Sequence, residues 1–258
     1  MLLKKLFIIL CISLSVIVTG CSKEKEDENN DLGSGDISNL PISIKTLVEF
    51  AEYCKEIYDG GGSNRDEVAF DVKQKDGKTI IIIRGTANAS NVESDVNIAL
   101  VSDIRSGIYL HKGFREASSG IMEIIDTARE GDRSVVSSNK PKYPLENTVY
   151  VTGHSLGGAV AQIIGIWLHK RGYSVQVFSY GSPKISSDGG GDRPRHWRVV
   201  RSSDPVPFTP PLPYIHGGVF INSQTGDWGP DNDKGLISNT DVTDHAIAKY
   251  VTTLKYLE

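Results

Sequence analysis

Between Thr148 and Leu168 the chain reads T-V-Y-V-T-G-H-S-L-G-G-A-V-A-Q-I-I-G-I-W-L, and no other stretch restricts the fold as tightly. Its first five residues are β-branched or aromatic and uncharged, as in a strand buried on both faces. From Ala159 to Leu168 the sequence is apolar nearly all the way round, and a helix without a polar face must be packed on every side. A buried strand that turns at once into a buried helix requires further layers around both.

The rest of the chain supplies candidates for those layers. Periodicity and breaker residues predict helices over 43–58, 114–130, 156–170 and 241–256, and strands over 67–73, 78–84, 147–153, 174–180, 196–201 and 217–222. The runs T-I-I-I-I-R and S-V-Q-V-F-S-Y are continuous or nearly continuous apolar strands. Strands of that kind, alternating with helices, predict an α/β fold whose mostly parallel central sheet has helices on both faces. No internal repeat interrupts the pattern, and residues 41–258 are of ordinary size for one such domain.

The amino-terminal segment reads differently. Lys4 and Lys5 precede an apolar run from Leu6 to Val18, too short to span a bilayer and matching the hydrophobic part of a secretion signal. The run ends V-T-G-C, which resembles the lipobox of bacterial lipoproteins, in which the leader is cut before an acylated cysteine. The expectation is a leader over 1–20, lipidation at Cys21, and attachment to the cell envelope through that anchor. The acidic stretch after Cys21 has no aromatic residue and predicts a disordered tether over 21–40.

Lys and Arg number 28 against 32 Asp and Glu, a net charge of −4, and loss of Lys4 and Lys5 takes it to about −6. No basic cluster appears, so nucleic acid is not an expected partner. With Cys11 in the leader and Cys21 acylated, only Cys54 remains, and no internal disulfide can form. Cys54 falls on the apolar stripe Leu47, Val48, Ala51, Cys54, Tyr58 and reads as a buried structural thiol.

The strand-to-helix turn carries G-H-S-L-G. A bare G-x-S-x-G arises readily in a chain with 26 glycines, so its context decides its meaning. After a strand and before a helix it is the setting of a nucleophile elbow, with Ser155 exposed on a sharp turn. A serine hydroxyl needs a general base oriented by a third group, and elbow folds supply them in the order serine, acid, histidine. Asp204 follows R-V-V-R-S-S and precedes a proline, at the carboxyl end of a strand where open-sheet sites form. Of the six histidines, only His216 and His245 lie beyond it. His245, in T-D-H-A-I-A-K-Y at a loop-to-helix boundary, is favoured over His216, which opens a strand. For the oxyanion, Leu156 supplies the backbone N–H after the serine. Thr86, in R-G-T at the end of T-I-I-I-I, supplies a second donor if Gly85 and Thr86 do more than begin a turn.

These segments resemble the class 3 lipases of the α/β-hydrolase superfamily. The resemblance rests on I-I-I-I-R-G-T, H-K-G-F at 111–114, V-T-G-H-S-L-G-G-A, F-S-Y-G-S-P at 178–183, S-S-D-P-V-P at 202–207 and the late D-H, in family order over most of residues 45–258. It implies a nucleophile at Ser155, an acid at Asp204, a base at His245, and oxyanion donors at Thr86 and Leu156. It also implies that His216 is not catalytic. Such enzymes carry an apolar lid after R-G-T, whereas Ala87 to Ser94 reads A-N-A-S-N-V-E-S, which argues for weak interfacial activation and for short or soluble acyl esters.

The expected activity is carboxylic-ester hydrolysis of acylglycerols or similar acyl esters, with no cofactor and no metal. A phospholipase A1 or a feruloyl or acetyl esterase on polysaccharide would use the same triad, and a surface-tethered binding protein would keep the fold without turnover. The aspartates in G-D-W-G-P-D-N-D-K-G at 226–235 invite a calcium site, but Val242 stands where the closing glutamate would fall, so the segment reads as a solvated loop.

Overall fold

The computed structural model of the chain describes residues 32–60, 69–86, 98–126, 143–189, 192–230 and 241–258. The leader, Cys21, the segment 87–94 and the aspartates Asp231 and Asp233 lie outside the described residues.

Nine strands are described: β1 (Phe70–Lys75), β2 (Lys78–Ile83), β3 (Leu100–Asp103), β4 (Ile108–His111), β5 (Thr148–His154), β6 (Ser174–Tyr180), β7 (Arg195–Val200), β8 (Val219–Asn222) and β9 (Trp228–Pro230). Four α-helices accompany them: α1 (Ile44–Tyr58), α2 (Lys112–Asp126), α3 (Leu156–Lys170) and α4 (Ile247–Leu257). Seven strands form one sheet in the order β1-β2-β5-β6-β7-β8-β9, and β3 with β4 makes a separate hairpin. The five strands from β2 to β8 run parallel, and β1 and β9 close the two edges antiparallel. This is the α/β-hydrolase arrangement expected from the sequence.

Side chains on successive residues of a strand point to opposite faces, and T-I-I-I-I shows what that does here. Ile81 and Ile83 join Val149, Val151, Val175 and Val177 in a core under α2 and α3. Ile80 and Ile82 face the other way, into a second core with Phe178, Tyr180 and residues of α1 and α4. Both faces are therefore apolar, which explains the unbroken isoleucine run. Each fully buried isoleucine contributes about 1.5–3 kcal/mol before entropy is counted. Helix α3 is the most enclosed element, with twelve of its fifteen residues buried. Cys54 is fully buried on α1 against the Thr152 hydroxyl, 3.3 Å away, and burial pushes its thiol up to about 12.

Two expectations are corrected. The tether does not extend to residue 40. Gly35 and Trp228 exchange backbone hydrogen bonds of 3.0 and 2.9 Å, and the Trp228 indole donates to the Asp36 carbonyl and to Asn39 Oδ1. Leu32 and Leu40 pack against the second core, so residues 32–40 are a strap belonging to the domain. The helix expected over 241–256 is broken: a 3-10 turn spans Val242–His245, Ala246 is extended, and α4 begins at Ile247. The hairpin β3–β4 and the edge strand β9 were not anticipated, being three or four residues each and too short for a pattern to show.

Candidate active site

Parallel strands put their carboxyl ends on one rim, and the register aligns them here: Ile83 pairs with Gly153, His154 with Tyr180, and Tyr180 with Val199. The loops after β2, β5, β6 and β7 thus meet above one another, where open α/β sheets form sites.

Ser155 stands on that rim between β5 and α3, with φ +58° and ψ −132°. An L-residue in this region is strained, and the surroundings hold it there. Its N–H donates to the Tyr180 carbonyl at 2.9 Å, and its carbonyl accepts from Gly158 and Ala159 as the helix starts at once. The flanking glycines allow the turn by close approach. A Cβ on Gly153 would lie 2.2 Å from the Gly157 carbonyl oxygen, and one on Gly157 would lie 2.2 Å from that of Ile83. Ser155 makes no side-chain cap to its own helix, which leaves Oγ available.

Oγ lies 2.7 Å from His245 Nε2, and His245 Nδ1 lies 2.8 Å from Asp204 Oδ2. All three side chains are essentially sealed, with exposures of 2 % for Ser155, 2 % for His245 and none for Asp204. The carboxylate accepts only, so Nδ1 carries the ring proton and Nε2 presents its lone pair to the serine hydroxyl. Asp204 is itself fixed: Oδ1 accepts from the Val206 N–H at 2.9 Å, and Oδ2 accepts from the Tyr250 hydroxyl at 2.5 Å. His245 reaches the rim because Asp241 caps the 3-10 turn and extended Ala246 redirects the chain before α4.

Asp204 and His245 are joined by a second, polar layer. Asp244 receives the Ser203 hydroxyl, the Lys249 ammonium at 2.6 Å and the Arg201 guanidinium at 3.3 Å, and the Asp241 N–H donates to the Ser203 carbonyl. Lys249 above all, then Ser203, holds the Asp244 carboxyl down to about 2.

Of the two expected oxyanion donors, Leu156 directly follows the serine and Thr86 directly follows Gly85, which packs against it. Leu156 is the first residue of α3, so its N–H has no carbonyl within the helix to bond and lies at the positive end of the helix dipole. Gly85, directly before Thr86, packs so close that a Cβ there would lie 3.0 Å from Ser155 Cβ and 2.6 Å from the His154 carbonyl. The R-G-T segment therefore lies against the serine.

Three of the remaining histidines are occupied elsewhere. His216 is buried with Nε2 2.6 Å from the Pro207 carbonyl, which pins the turn after Asp204. His196 bonds the Ser179 hydroxyl at 2.8 Å, and His169 meets Asp192 at 2.8 Å. Three residues of the site had no role assigned from sequence. Tyr250 lies five residues after His245 on α4. Gly181, at φ +56°, faces Asp204, Tyr250 and His245 so closely that a Cβ would sit 2.9, 2.9 and 3.1 Å from them. Tyr58 ends α1 with its hydroxyl 3.0 Å from His154 Nδ1. Gly181 lies within F-S-Y-G-S-P, a segment visible in the sequence, whereas nothing local marks the two tyrosines.

An apolar groove of about 270 Å³, lined by Ile98, Leu100, Pro210, Pro211, Leu212, Pro213 and Tyr214, opens on the loop that leaves Asp204.

Comparison with known proteins agrees with this architecture. Residues 80–214 match the family described as Lipase (class 3). A secreted mono- and diacylglycerol lipase of Fusarium solani is 33% identical over 139 residues, covering 52% of this chain and 39% of the relative. A lipase of Rhizomucor miehei is 29% identical over 156 residues, covering 55% and 40%. The matches thus span about two fifths of these relatives. The solved lipase from Rhizopus microsporus var. chinensis superposes with a TM-score of 0.60 at 19% identity, covering 88% of this chain and 94% of that one. The Rhizomucor miehei triacylglyceride lipase gives 0.59 at 22%, covering 78% and 92%. These structures share its fold. The matched segment includes the last four residues of β2 with R-G-T, the elbow at Ser155 and the loop bearing Asp204, and the chain belongs to the class 3 lipase family.

Proposed function

We propose that the protein is a serine carboxylic-ester hydrolase acting on acylglycerols or similar acyl esters. The observation that carries this reading is the bridge made by His245, with 2.7 Å on one side to the Ser155 hydroxyl and 2.8 Å on the other to the Asp204 carboxylate.

In the first step His245 Nε2 takes the Ser155 proton as Oγ attacks the ester carbonyl, and the Leu156 and Thr86 donors hold the oxyanion. The imidazolium then gives its proton to the departing alcohol, leaving the acyl-enzyme. A water molecule, deprotonated by the same nitrogen, attacks the acyl carbon, and the proton returns to Ser155 as the acid leaves. Asp204 keeps the proton on Nδ1 and stabilises the imidazolium.

The Fusarium solani relative is named for mono- and diacylglycerols, which makes partial glycerides the first natural substrates to test. The polar composition of residues 87–94, outside the described residues, supports weak interfacial activation and short or soluble esters. Secreted relatives and the apolar run before V-T-G-C support export, with lipid attachment at Cys21 and residues 32–258 as the folded domain.

Fluorophosphonate labelling, with a chain-length series of aryl esters, tests the chemistry. Labelling and turnover are expected to vanish in Ser155→Ala, and a Ser155→Ala protein that still hydrolyses esters would overturn the reading. Incorporation of labelled palmitate, lost in Cys21→Ser, tests the anchor.

A further inference from the structure

The geometry points to Tyr58 and His154 as positioning residues that tie the R-G-T loop to the backbone of the base. The inference rests on the reading of Ser155, His245 and Asp204 as a triad.

His154 is the residue before the serine, and its side chain is turned away from solvent with 4 % exposure. Its Nε2 lies 2.6 Å from the main-chain carbonyl oxygen of His245. A carbonyl only accepts, so Nε2 carries the proton and Nδ1 is the acceptor. Nδ1 therefore takes the hydrogen of the Tyr58 hydroxyl, 3.0 Å away. Gly85 packs against that hydroxyl, where a Cβ would lie 2.6 Å from the Tyr58 oxygen, and its backbone N–H donates to it. The result is a single directed chain of three hydrogen bonds, from Gly85 to Tyr58 to His154 to His245. One end is the residue before Thr86, and the other is the main chain of the base.

The far end needs such a hold. Helix α4 begins at Ile247, so the His245 carbonyl lies outside its i→i−4 ladder. His154 supplies a donor at that point and also lays its ring 4.5 Å from the His245 ring, tilted by 33°. Burial, and then the neighbouring His245, push His154 well below the ordinary histidine range, so it faces the base as a neutral ring. A charged neighbour would oppose the imidazolium that forms in each acyl-transfer step.

A side chain that only fills space and one that holds the base make different kinetic predictions. Steady-state kcat and KM on a soluble aryl ester, together with urea unfolding, would be measured for Tyr58→Phe, His154→Gln, His154→Leu, the Tyr58→Phe/His154→Leu double variant and Ser155→Ala. Tyr58→Phe is expected to lower kcat about three- to tenfold with KM within about twofold, the effect of losing one hydrogen bond in the transition state. His154→Leu should lower kcat further. His154→Gln, whose amide reaches the Nε2 position and donates to the carbonyl, should recover most of that loss. The double variant should be no slower than His154→Leu, because links of one chain are not additive. Unchanged kcat in Tyr58→Phe, equal losses in the Leu and Gln variants, or multiplying losses in the double variant would overturn the inference. If His154→Leu does not fold, Tyr58→Phe and His154→Gln decide it. Turnover that survives Ser155→Ala sinks the triad reading and this inference together, whereas Ser155-dependent turnover with unchanged kcat in Tyr58→Phe sinks this inference alone.

Discussion

Tyr250 and His245 donate to the same oxygen of Asp204: the tyrosine hydroxyl lies 2.5 Å from Oδ2, and His245 Nδ1 lies 2.8 Å from it. With Val206 N–H on Oδ1, the carboxylate has donors on both oxygens and no freedom to rotate away from the imidazole. Burial and the adjoining carboxylate push the Tyr250 phenol well above its ordinary range, so it remains a donor throughout.

Removing that donor should therefore slow the chemistry and spare binding. Tyr250→Phe is expected to lower kcat about tenfold with little change in KM, the scale of a hydrogen bond to a charged group. Asp204→Asn should lose about 10⁴-fold in kcat by presenting the wrong partner to Nδ1. Equal turnover in Asp204→Asn would remove Asp204 from the acid role.

A methyl group at Gly181 tests the crowding of the same carboxylate. The substituent would lie 2.9 Å from Asp204 Oδ2 and 3.1 Å from His245 Cε1, on a backbone with φ +56°. Gly181→Ala is expected to destabilise the fold by about 1–3 kcal/mol and to reduce kcat at least about tenfold. Urea midpoints and steady-state rates would show both. A fully active, fully stable variant would contradict the packing described for this rim.

Acid should unfold the protein through buried histidines other than the base. His111, His154, His196 and His216 are buried, and burial holds all four below the ordinary range, His111 at about 4 and His196 at about 3. In the unfolded chain each titrates near about 6.5. Below that pH the unfolded state binds more protons, so stability is complete above about 6.5 and falls as pH drops toward the native values. Each group removes up to about 1.4 kcal/mol per pH unit in that window. Asp244, held at about 2, adds a further loss below about 3.9, the unfolded value. Urea midpoints between pH 7 and 5 are expected to fall steeply, and a flat profile would mean that these rings accept protons in the native state.

Truncation separates strap from tether. A protein beginning at residue 32 is expected to melt within about 2 °C of the full chain. One beginning at residue 41 should lose about 2–4 kcal/mol, because Trp228 gives up both indole partners and Leu32 and Leu40 leave the core. Identical melting of the two would return residues 32–40 to the tether.

The parts of the molecule that were readable from sequence are those in which local pattern and burial agree. Helix α3 begins and ends at the expected residues because a glycine-flanked turn precedes it and its apolar surface continues to Lys170. β6 likewise matches its apolar run. The break at Ala246 was not readable, since A-I-A-K-Y continues a helical pattern and the departure is set by the tertiary contacts of His245. Tyr250 was invisible for the same reason: its partner lies 46 residues earlier, and nothing near it in the chain records the bond. The strap was missed because L-G-S-G-D-I-S-N-L is short and polar, and its anchor is one indole nearly two hundred residues away.

That strap also changes what the molecule offers to its neighbours. An open sheet has two rims of unpaired backbone, each a template onto which another chain can add. At one rim β1 places Asp71, Lys73 and Lys75, whose charges discourage such growth. At the other rim the strap pairs Gly35 with Trp228 in both directions, so the place where a foreign strand would begin is already taken by the protein's own amino-terminal segment.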